Sequence, residues 1–516
     1  MKAARTLMKR LPGTRRQFAK SAILAAAGWS LGGVRAAPAG PARDGAVPAG
    51  PAARADAIES LVDYCLATTY ESLPPDIAAI SKQQVLDTIG IALAGYAADG
   101  VRQLREFTVA MAGRPESRIW GAAAAVPAHE AARVNGTMAH ALDYDDTHEK
   151  SYVHPSVITI PAVLAIAEKT PGVTGRDIIV ATALGTDLSC RLAMAAQPGV
   201  DPFKVGWHNT TVYGYISSAL AAGKLLGLTR QQMIDAAGIA YHQAAGNAQA
   251  HVDGALTKRM GPGFAGCAGV LAAQLAQAGV TGARHVLEGP IGLYRQYHGG
   301  NYDRGRLLDG LGVHFAAADL SFKPYPSCRG SHTAVDAALA IRRQQAFPAS
   351  DIKAITIYMG PGEYKLLGTP LEAKRAPRSN VQAQFSNPWI VATTLLDGRL
   401  SLADFSPAAL DRPDVLALTA RTHTVLDASL LAAGGGVGPT RLTVELRDGR
   451  RLTQTVYTAK GEPRQPLSTA EFEQKFFDCA RSAGLAESQA AALQSAILGL
   501  ERLADARELT KQMIPA

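Results

Sequence analysis

The sequence is poor in cysteine, in aromatic residues and in charge. Its 516 residues include 5 cysteines, 6% aromatic side chains and 19% charged side chains. The cysteines are scattered, odd in number and never spaced as C-x-x-C: they are Cys65, Cys190, Cys267, Cys328 and Cys479. This pattern argues against a disulfide scaffold, a zinc site built from thiolates and an iron–sulfur cluster.

The chain also lacks the P-loop motif, by which nucleotide-binding P-loop proteins are usually identified. With 47% hydrophobic residues it is not a disordered chain either. At 516 residues it is long enough for more than one domain, or for one large core with an additional lobe.

The formal net charge of +8 is concentrated in the first 36 residues. That stretch contains no acidic residue and eight cations, which are Lys2, Arg5, Lys9, Arg10, Arg15, Arg16, Lys20 and Arg35. The rest of the chain is therefore close to neutral overall. A nucleic-acid partner, which a sequence pI near 9.2 first suggests, is accordingly not expected.

The same leader has the order of a twin-arginine export signal. Thr14-Arg15-Arg16-Gln17-Phe18-Ala19-Lys20 precedes an apolar run over residues 21–33, and Val34-Arg35-Ala36 offers small residues to a signal peptidase. The apolar run is shorter than the roughly 20 residues that a membrane-spanning helix needs. We expect a signal peptide over residues 1–36, cleaved near Ala36, a flexible linker over 37–53, and a periplasmic protein.

The remainder predicts a mainly α fold with two domains. From residue 55 to about 320, apolar residues recur at helical spacing, with helices expected at 77–94, 157–168, 175–195, 212–226, 230–249 and 263–278. Helical periodicity returns after Ser468-Thr469-Ala470-Glu471, which has the form of a capping box. We expect a helical domain over 54–319 plus 462–516.

Between these two helical parts the pattern of apolar residues changes from helical spacing to that of β-strands. A β-branched run over Ile352–Met359 and two further strands flanking Asp448-Gly449 predict a small sheet. With helices near 331–344 and 391–396, this predicts an α+β lid domain over 320–461, inserted before the C-terminal helices.

Residues 140–154 hold a dense ionisable cluster that consists of His140, Asp143, Asp145, Asp146, His148, Glu149 and His154. So many charges are costly to bury unpaired, so they must be solvated, mutually paired or functional. Asp145-Asp146-x-x-Glu149 also resembles the aspartate-rich runs that bind magnesium and a diphosphate in helical synthases, but no second acidic cluster accompanies it.

Two further segments of the helical part carry candidates. His208 precedes a Gly/Ala/Ser-rich helix, where it could contact an anion or simply pack beside the cap. Lys258 and Arg259 could clamp a carboxylate, although adjacent cations before a helix are more often solvated.

The expected domain boundary contributes a third segment. Lys323 and Tyr325 lie in a proline-rich stretch, and Cys328 stands four residues before His332. This spacing would suit a nucleophile and its base on a helix, but no third group positions them.

Together these stretches resemble the MmgE/PrpD family, from about Ile58 to the C-terminus. The resemblance is carried by Asn135-Gly136 with Ala139-His140, the segment from Asp143 to His154-Pro155, Gly206-Trp207-His208, the Lys258 segment, Leu287-Glu288-Gly289, Lys323-Pro324-Tyr325-Pro326, Gln384-Phe385-Ser386 and Lys460-Gly461-Glu462-Pro463. It implies a large helical domain with a smaller α+β lid, a homodimer, and an active site without cofactor or metal in the cleft between the domains.

The resemblance also implies a set of site residues. On this basis we assign catalytic roles to Asp143, His154, His208 and Lys258, and substrate binding to Thr147, Lys258, Arg259, Lys323 and Tyr325. Two departures stand out: His154 is one position further from Thr147 than in the decarboxylase pattern, and Cys328 aligns where the decarboxylase has histidine. The second departure disfavours cis-aconitate decarboxylation.

The function that these features favour is a lyase acting on a small di- or tricarboxylate, most like 2-methylcitrate dehydratase. Imidazoles would move protons, and fixed lysines would stabilise charge developing next to a carboxylate. An epimerase or racemase, a decarboxylase, and a non-catalytic periplasmic carboxylate-binding protein are the alternatives.

Overall fold

The computed structural model describes residues 54–196, 205–345, 347–432 and 436–515. The expected signal peptide and linker, residues 1–36 and 37–53, lie outside the described residues. Within the described part helices dominate and strands are few, so the prediction of a mainly α fold is confirmed.

The helices fall into three groups along the chain. The first group is α1 (Ala57–Ala67), α2 (Pro75–Ala94), α3 (Val101–Met111), α4 (Ala128–His140), α5 (Ser156–Lys169), α6 (Gly175–Ala196), α7 (Asn209–Leu225), α8 (Arg230–Gln243), α9 (Gln249–Asp253), α10 (Gly261–Gln277), α11 (Leu293–His298) and α12 (Arg304–Leu308). The second group is α13 (His332–Gln344), α14 (Pro361–Glu363), α15 (Leu371–Arg375), α16 (Asn380–Gln384), α17 (Asn387–Asp397), α18 (Pro407–Leu410) and α19 (Pro413–Thr419). The third group is α20 (Thr469–Ser482), α21 (Glu487–Leu498) and α22 (Arg507–Lys511).

Most predicted helices agree with observed ones within a few residues, but the one predicted over 230–249 ends six residues earlier than expected. Helix α8 ends at Gln243, and a separate short helix, α9, begins at Gln249. Gly246 between them has a φ of 137°, and its carbonyl accepts a hydrogen bond from the His208 backbone N–H. This tertiary contact interrupts a segment whose local sequence favours helix.

Small residues let the central helices approach closely. A Cβ atom added to Gly136 in α4 would lie 3.1 Å from the Cα atom of Gly263 in α10. Both glycines are therefore needed for this crossing, since any side chain would force the helices apart. The contact brings the start of α10, and the residues just before it, against the end of α4.

Helix α6 is long and apolar enough to cross a membrane by length and composition. Of its most apolar stretch, 94% is buried inside the fold. That burial is typical of the central helix of a globular core.

Residues 332–456, which are called the second domain because they enclose a hydrophobic core separate from that of the first helices, contain a four-stranded sheet with the order β6-β5-β7-β8. Its strands are β5 (Ile352–Met359), β6 (Thr422–Leu426), β7 (Thr440–Leu446) and β8 (Arg451–Val456). Strand β5 runs parallel to β6 and antiparallel to β7, which in turn pairs antiparallel with β8. Alternate residues of β7 are buried, because Thr440, Leu442, Val444 and Leu446 face a second hydrophobic core beneath α13 and α17.

The hairpin between β7 and β8 differs from the expected two-residue Asp-Gly turn. The Leu446 backbone N–H donates to the Arg450 carbonyl, which leaves three connecting residues, Arg447, Asp448 and Gly449. Gly449 has a φ of 91°, whereas Asp448 is not in the positive-φ region. One left-handed residue thus makes the turn, and glycine adopts it without a Cβ clash.

The segments just before and just after the second domain pack against the helices of the first group. The capping box at Ser468 and Glu471 is present, and α20 packs on α2 through Phe476, which contacts Gly90. Two short strands, β3 (Thr147–His148) and β4 (Leu320–Ser321), pair antiparallel with each other. Two others, β1 (Ser117–Arg118) and β2 (Ala125–Val126), form a separate ribbon. Strand β3 thus joins the ionisable loop to the chain entering the second domain.

Candidate active site

The loop from Ala141 to Pro155 carries the ionisable cluster into the interior. It begins where α4 ends, and it contains two residues with left-handed backbone, Asp143 (φ 53°) and Tyr152 (φ 54°). Aspartate tolerates this conformation better than most residues. The carboxylates of Asp143, Asp145 and Asp146 are all buried, so each requires a partner.

Asp143 lies between two lysines from distant parts of the chain. Its Oδ2 atom accepts a hydrogen bond from Lys258 Nζ at 2.8 Å, and its Oδ1 atom accepts one from Lys323 Nζ at 2.7 Å. Burial alone would raise the pKa of Asp143, but the two cations outweigh it and hold the pKa well below its usual range. The centre of the site is therefore a charged triad, with the carboxylate ionised.

The ammonium of Lys323 is completely buried. Its Nζ atom also donates to the Asp143 backbone carbonyl at 2.9 Å, and Asp145 Oδ1 lies 4.0 Å away. Burial alone would lower the pKa of Lys323, yet the two carboxylates outweigh it and raise the pKa above its ordinary value. Lys323 is thus a fixed positive charge, as transition-state stabilisation by electrostatics requires.

Asp145 joins two imidazoles. Its Oδ2 atom lies 2.8 Å from His140 Nδ1 and 3.1 Å from His154 Nδ1. Burial would raise the pKa of Asp145, but His140, His154 and Lys323 hold it well below the usual range. Asp145 therefore remains an anion that is hydrogen-bonded to the His140 ring and forms a close charge contact with the His154 ring.

The surroundings of His154 assign its tautomer. Its Nδ1 atom lies 2.8 Å from the Asp146 backbone carbonyl and 3.2 Å from Thr147 Oγ1, in addition to the Asp145 carboxylate. A carbonyl and a carboxylate only accept, so Nδ1 carries the proton and Nε2 has the lone pair. The His154 side chain is 18% exposed, more than Asp145 or Lys323. Nε2 is thus available to act as a base.

His208 stands opposite, at the N-cap of α7. Its Nδ1 atom lies 2.7 Å from Thr211 Oγ1, and its ring centroid is 6.0 Å from that of His140. A Cβ atom on Gly261 would lie 2.5 Å from Thr211 Oγ1, so only glycine leaves room for this pair. Burial, then His251, lowers the pKa of His208 well below its ordinary value, so the ring is neutral.

A further imidazole, His251, reaches the same place from α9. Its ring centroid lies 4.8 Å from that of His208 and 6.3 Å from the ring of Phe385. Phe385 also lies 5.3 Å from Lys258 Nζ. Burial, followed by the charge of Lys258, lowers the pKa of His251 to about 3. His251, Phe385 and Lys258 thus form one wall of the site.

The second domain closes the site from the other side. The Gln384 amide donates to the Leu142 carbonyl at 2.6 Å, and Arg329 Nε donates to Glu149 Oε1 at 2.7 Å. Both bonds connect the ionisable loop to the second domain or to the segment that enters it. Lys323 lies on the segment between β4 and α13, which enters the second domain, and this segment thereby contributes a positive charge to the site.

Two predicted site residues lie elsewhere. Arg259 follows Lys258 in a 3-10 helix, in which consecutive side chains point about 120° apart. Its guanidinium donates to the Asp99 carbonyl and to Asn380 Oδ1. Tyr325 donates to Asp336 Oδ1 at 2.7 Å, because the chain bends over residues 324–327. The other predicted residues, Asp143, Thr147, His154, His208, Lys258 and Lys323, come together.

Cys328 and His332, which the sequence offers as a possible nucleophile and base, do not form such a pair. His332 Nδ1 accepts a hydrogen bond from Arg329, and its Nε2 faces the Ser327 carbonyl, so its described bonds do not include Cys328. Burial raises the pKa of the Cys328 thiol to about 11, which keeps it protonated. A cysteine nucleophile activated by His332 is therefore not formed in this arrangement.

The aspartate-rich run also does not converge on one point. Asp145 faces the imidazoles, Asp146 faces Ser156 Oγ at 2.5 Å, and Glu149 faces Arg329. Hard cations need several oxygens directed at one centre. A different set, His140, Asp145 and His154, places three ligand atoms within 4.8 Å of one another and could hold a transition metal.

Asp145, His140 and His251 were missed as site residues by the sequence analysis. Asp145 and His140 lay inside the recognised cluster, and their burial was the missing signal. His251 had no local signal, since it lies just after the helix predicted over 230–249 and belongs to none of the recognised motifs. Two surface depressions of about 400 Å³, around Tyr96 and around Arg114, lie apart from all these residues.

The chain is similar to one known family over most of its length and to several named proteins. The MmgE/PrpD N-terminal domain matches residues 59–306, and the MmgE/PrpD C-terminal domain matches residues 325–501. The cis-aconitate decarboxylase of Aspergillus terreus is 29% identical over 454 residues, which cover 84% of this chain and 91% of that protein. The human cis-aconitate decarboxylase is 29% identical over 77% of this chain and 82% of its own length, and the mouse protein is 28% identical over 84% and 88%.

Proposed function

The chain belongs to the MmgE/PrpD family, and from this premise we propose that it is a lyase that moves a proton at a carbon next to a carboxylate. The observation that carries the proposal is the Nε2 atom of His154, for which no hydrogen bond is formed among the described residues, beside the Asp143, Lys258 and Lys323 triad. This pairs one proton-transfer group with fixed cations, the combination that carbon-acid chemistry needs.

The substrate we propose is a small di- or tricarboxylate of the cis-aconitate type, and the relatives' names support it. Loss of CO₂ from the CH₂-carboxylate of cis-aconitate would leave an electron pair that shifts through the double bond to the carbon beside another carboxylate. Lys258 and Lys323 would stabilise that charge, and protonated His154 would deliver a proton to this carbon. Atoms and charge then balance without a redox cofactor.

A second candidate is dehydration of a hydroxy acid like 2-methylcitrate. His154 would take the proton next to the carboxylate and pass it to the departing hydroxyl, which would leave as water, and neutral His208 would hold that hydroxyl by a hydrogen bond. One observation favours it, because His208 offers a second imidazole across the site. The family resemblance, which aligns Cys328 where the decarboxylase has histidine, points the same way. Both reactions use His154 for proton transfer and the same two lysines as cations.

Proton NMR of the purified protein in deuterium oxide tests the proposal. The panel contains cis-aconitate, citrate, 2-methylcitrate and aspartate-like acids. New methylene signals from cis-aconitate indicate decarboxylation, and new alkene signals from 2-methylcitrate indicate dehydration. Exchange of an α-proton with inversion alone would indicate an epimerase. Line broadening without conversion or exchange would contradict the lyase proposal and favour a carboxylate-binding protein.

His154→Ala is the matched variant, with the exposed His242→Ala as its control. Removing a general acid/base group costs typically a hundredfold or more in turnover, whereas the control should turn over normally. Unchanged turnover of the His154 variant would contradict the assignment of the base.

Export and a homodimer are part of the same proposal. The order of the leader supports export. The dimer is supported by two exposed apolar side chains on α3, Phe107 and Met111, which a second copy of the chain would cover. Light scattering of the purified protein measures the mass in solution, and a value near the 54.0 kDa of one chain would contradict a dimer.

A further inference from the structure

The wall formed by His251, Phe385 and Lys258 has hydrogen-bonding capacity that the described residues leave unused. His251 Nδ1 is buried and has no hydrogen-bond partner among the described residues. Lys258 Nζ has three donors, and within the described chain Asp143 is the acceptor for one of them. Buried polar atoms are nearly always paired, so such a group needs an explanation.

The two groups border the same aromatic ring. The His251 ring meets the Phe385 ring edge-on at 6.3 Å, and Lys258 Nζ lies 5.3 Å from its centroid. The His208 ring, 4.8 Å from His251, closes the other side. A ligand group placed here therefore meets a cation, imidazole N–H donors and an aromatic face.

We infer that His251 is a substrate-binding residue, which donates a hydrogen bond from Nδ1 to a substrate carboxylate held beside Lys258. A carboxylate is the group that can accept from both at once. The inference rests on the proposed function, because it names a second contact for the acid that this site would transform. It places the contacted carboxylate between His251 and Lys258, next to the Phe385 ring.

The tautomer is consistent with this role. A neutral imidazole carries one proton, and burial beside Lys258 keeps His251 neutral at neutral pH. With the proton on Nδ1, the ring can donate without adding a charge to the site. The negative charge of the carboxylate thus neutralises the positive charge of Lys258, and His251 adds no second positive charge.

The test measures binding separately from turnover. The probe is tricarballylate, a saturated tricarboxylate that has neither a double bond nor a hydroxyl to lose, and isothermal titration gives its Kd. His251→Phe keeps the ring but removes the donor, and we expect its Kd to rise at least tenfold, as for loss of a bond to a charged group. His251→Asn keeps an amide N–H near the Nδ1 position and should stay within about threefold of the native protein. The exposed His242→Asn is the control and should bind normally.

Each outcome separates the two proposals. Equal Kd values for the native protein and both His251 variants would overturn the role of His251, whatever the turnover. Lack of tricarballylate binding by the native protein would overturn it as well. Tight binding that depends on His251, without turnover of any acid in the NMR panel, would support this inference and refute the lyase proposal alone. Equal thermal midpoints of the variants show that the folded protein is being compared.

Discussion

Replacing Asp145 with asparagine tests the network around the proposed base. The Asp145 carboxylate accepts from His140 Nδ1 at 2.8 Å and lies 3.1 Å from His154 Nδ1. Asparagine has the same shape, so the substitution removes the negative charge and leaves the packing nearly unchanged. The Asp146 carbonyl, 2.8 Å from His154 Nδ1, is untouched and still holds the proton on that nitrogen.

The magnitude follows from what is lost. Nε2 of His154 remains the free base, but the protonated ring no longer has an anion beside it. A hydrogen bond to a charged group contributes about 1.5–3 kcal/mol, which corresponds to roughly 10- to 150-fold in kcat/KM. The loss should be smaller than that of His154→Ala, since the base itself is retained.

The assay is kcat/KM across about pH 5–9 with the acid that the NMR panel identifies. The plateau of kcat/KM for Asp145→Asn should lie below that of the native protein. Asp478→Asn, at an exposed position on α20, is the control and should match the native protein. A native plateau in the Asp145 variant would refute the reasoning.

Four further predictions concern the buried charge of Lys323, the need for a metal, the pH dependence of stability and export. Lys323→Met leaves Asp143 one cation short, so the free energy of unfolding should fall by roughly 3 kcal/mol and kcat/KM at least tenfold; a native denaturation midpoint would contradict this. Exhaustive chelation should leave activity unchanged, and loss restored by an added transition metal would instead assign the imidazole–carboxylate set as a metal site. Burial, with the charges of neighbouring carboxylates, raises the pKa of Asp146 from 3.8 to about 7. The native state therefore binds an extra proton between these values, and stability falls as pH rises through that window. Asp146→Asn should flatten this decline in thermal melts, and an equally steep decline would show that another group causes it. Finally, Lys-Lys in place of Arg15-Arg16 should retain the protein in the cytoplasm on fractionation, and unaltered export would refute the leader assignment.

Much of the fold could be predicted because its signals are local. Apolar spacing is a property of neighbouring residues, so α2, α5, α6, α7 and α10 were expected nearly where they lie. The capping box before α20 and strand β5 were recognisable for the same reason. The end of α8 could not be predicted, because a backbone hydrogen bond from His208, far along the chain, interrupts the helix there.

For the site, the sequence by itself determined which side chains are available and grouped most of them in motifs. It did not determine their partners. Asp143 pairs with lysines that stand 115 and 180 positions away, and only folding brings such charges within hydrogen-bonding distance.

The tertiary structure also decided between neighbours in sequence. Lys258 enters the site whereas Arg259 turns to Asp99, since consecutive residues of a tight helix point in different directions. It selected Asp145 as the residue that orients two imidazoles, and it added His251 from a segment with no local signal. Residue types and periodicity are written along the chain, but direction, burial and charge pairing depend on packing in three dimensions.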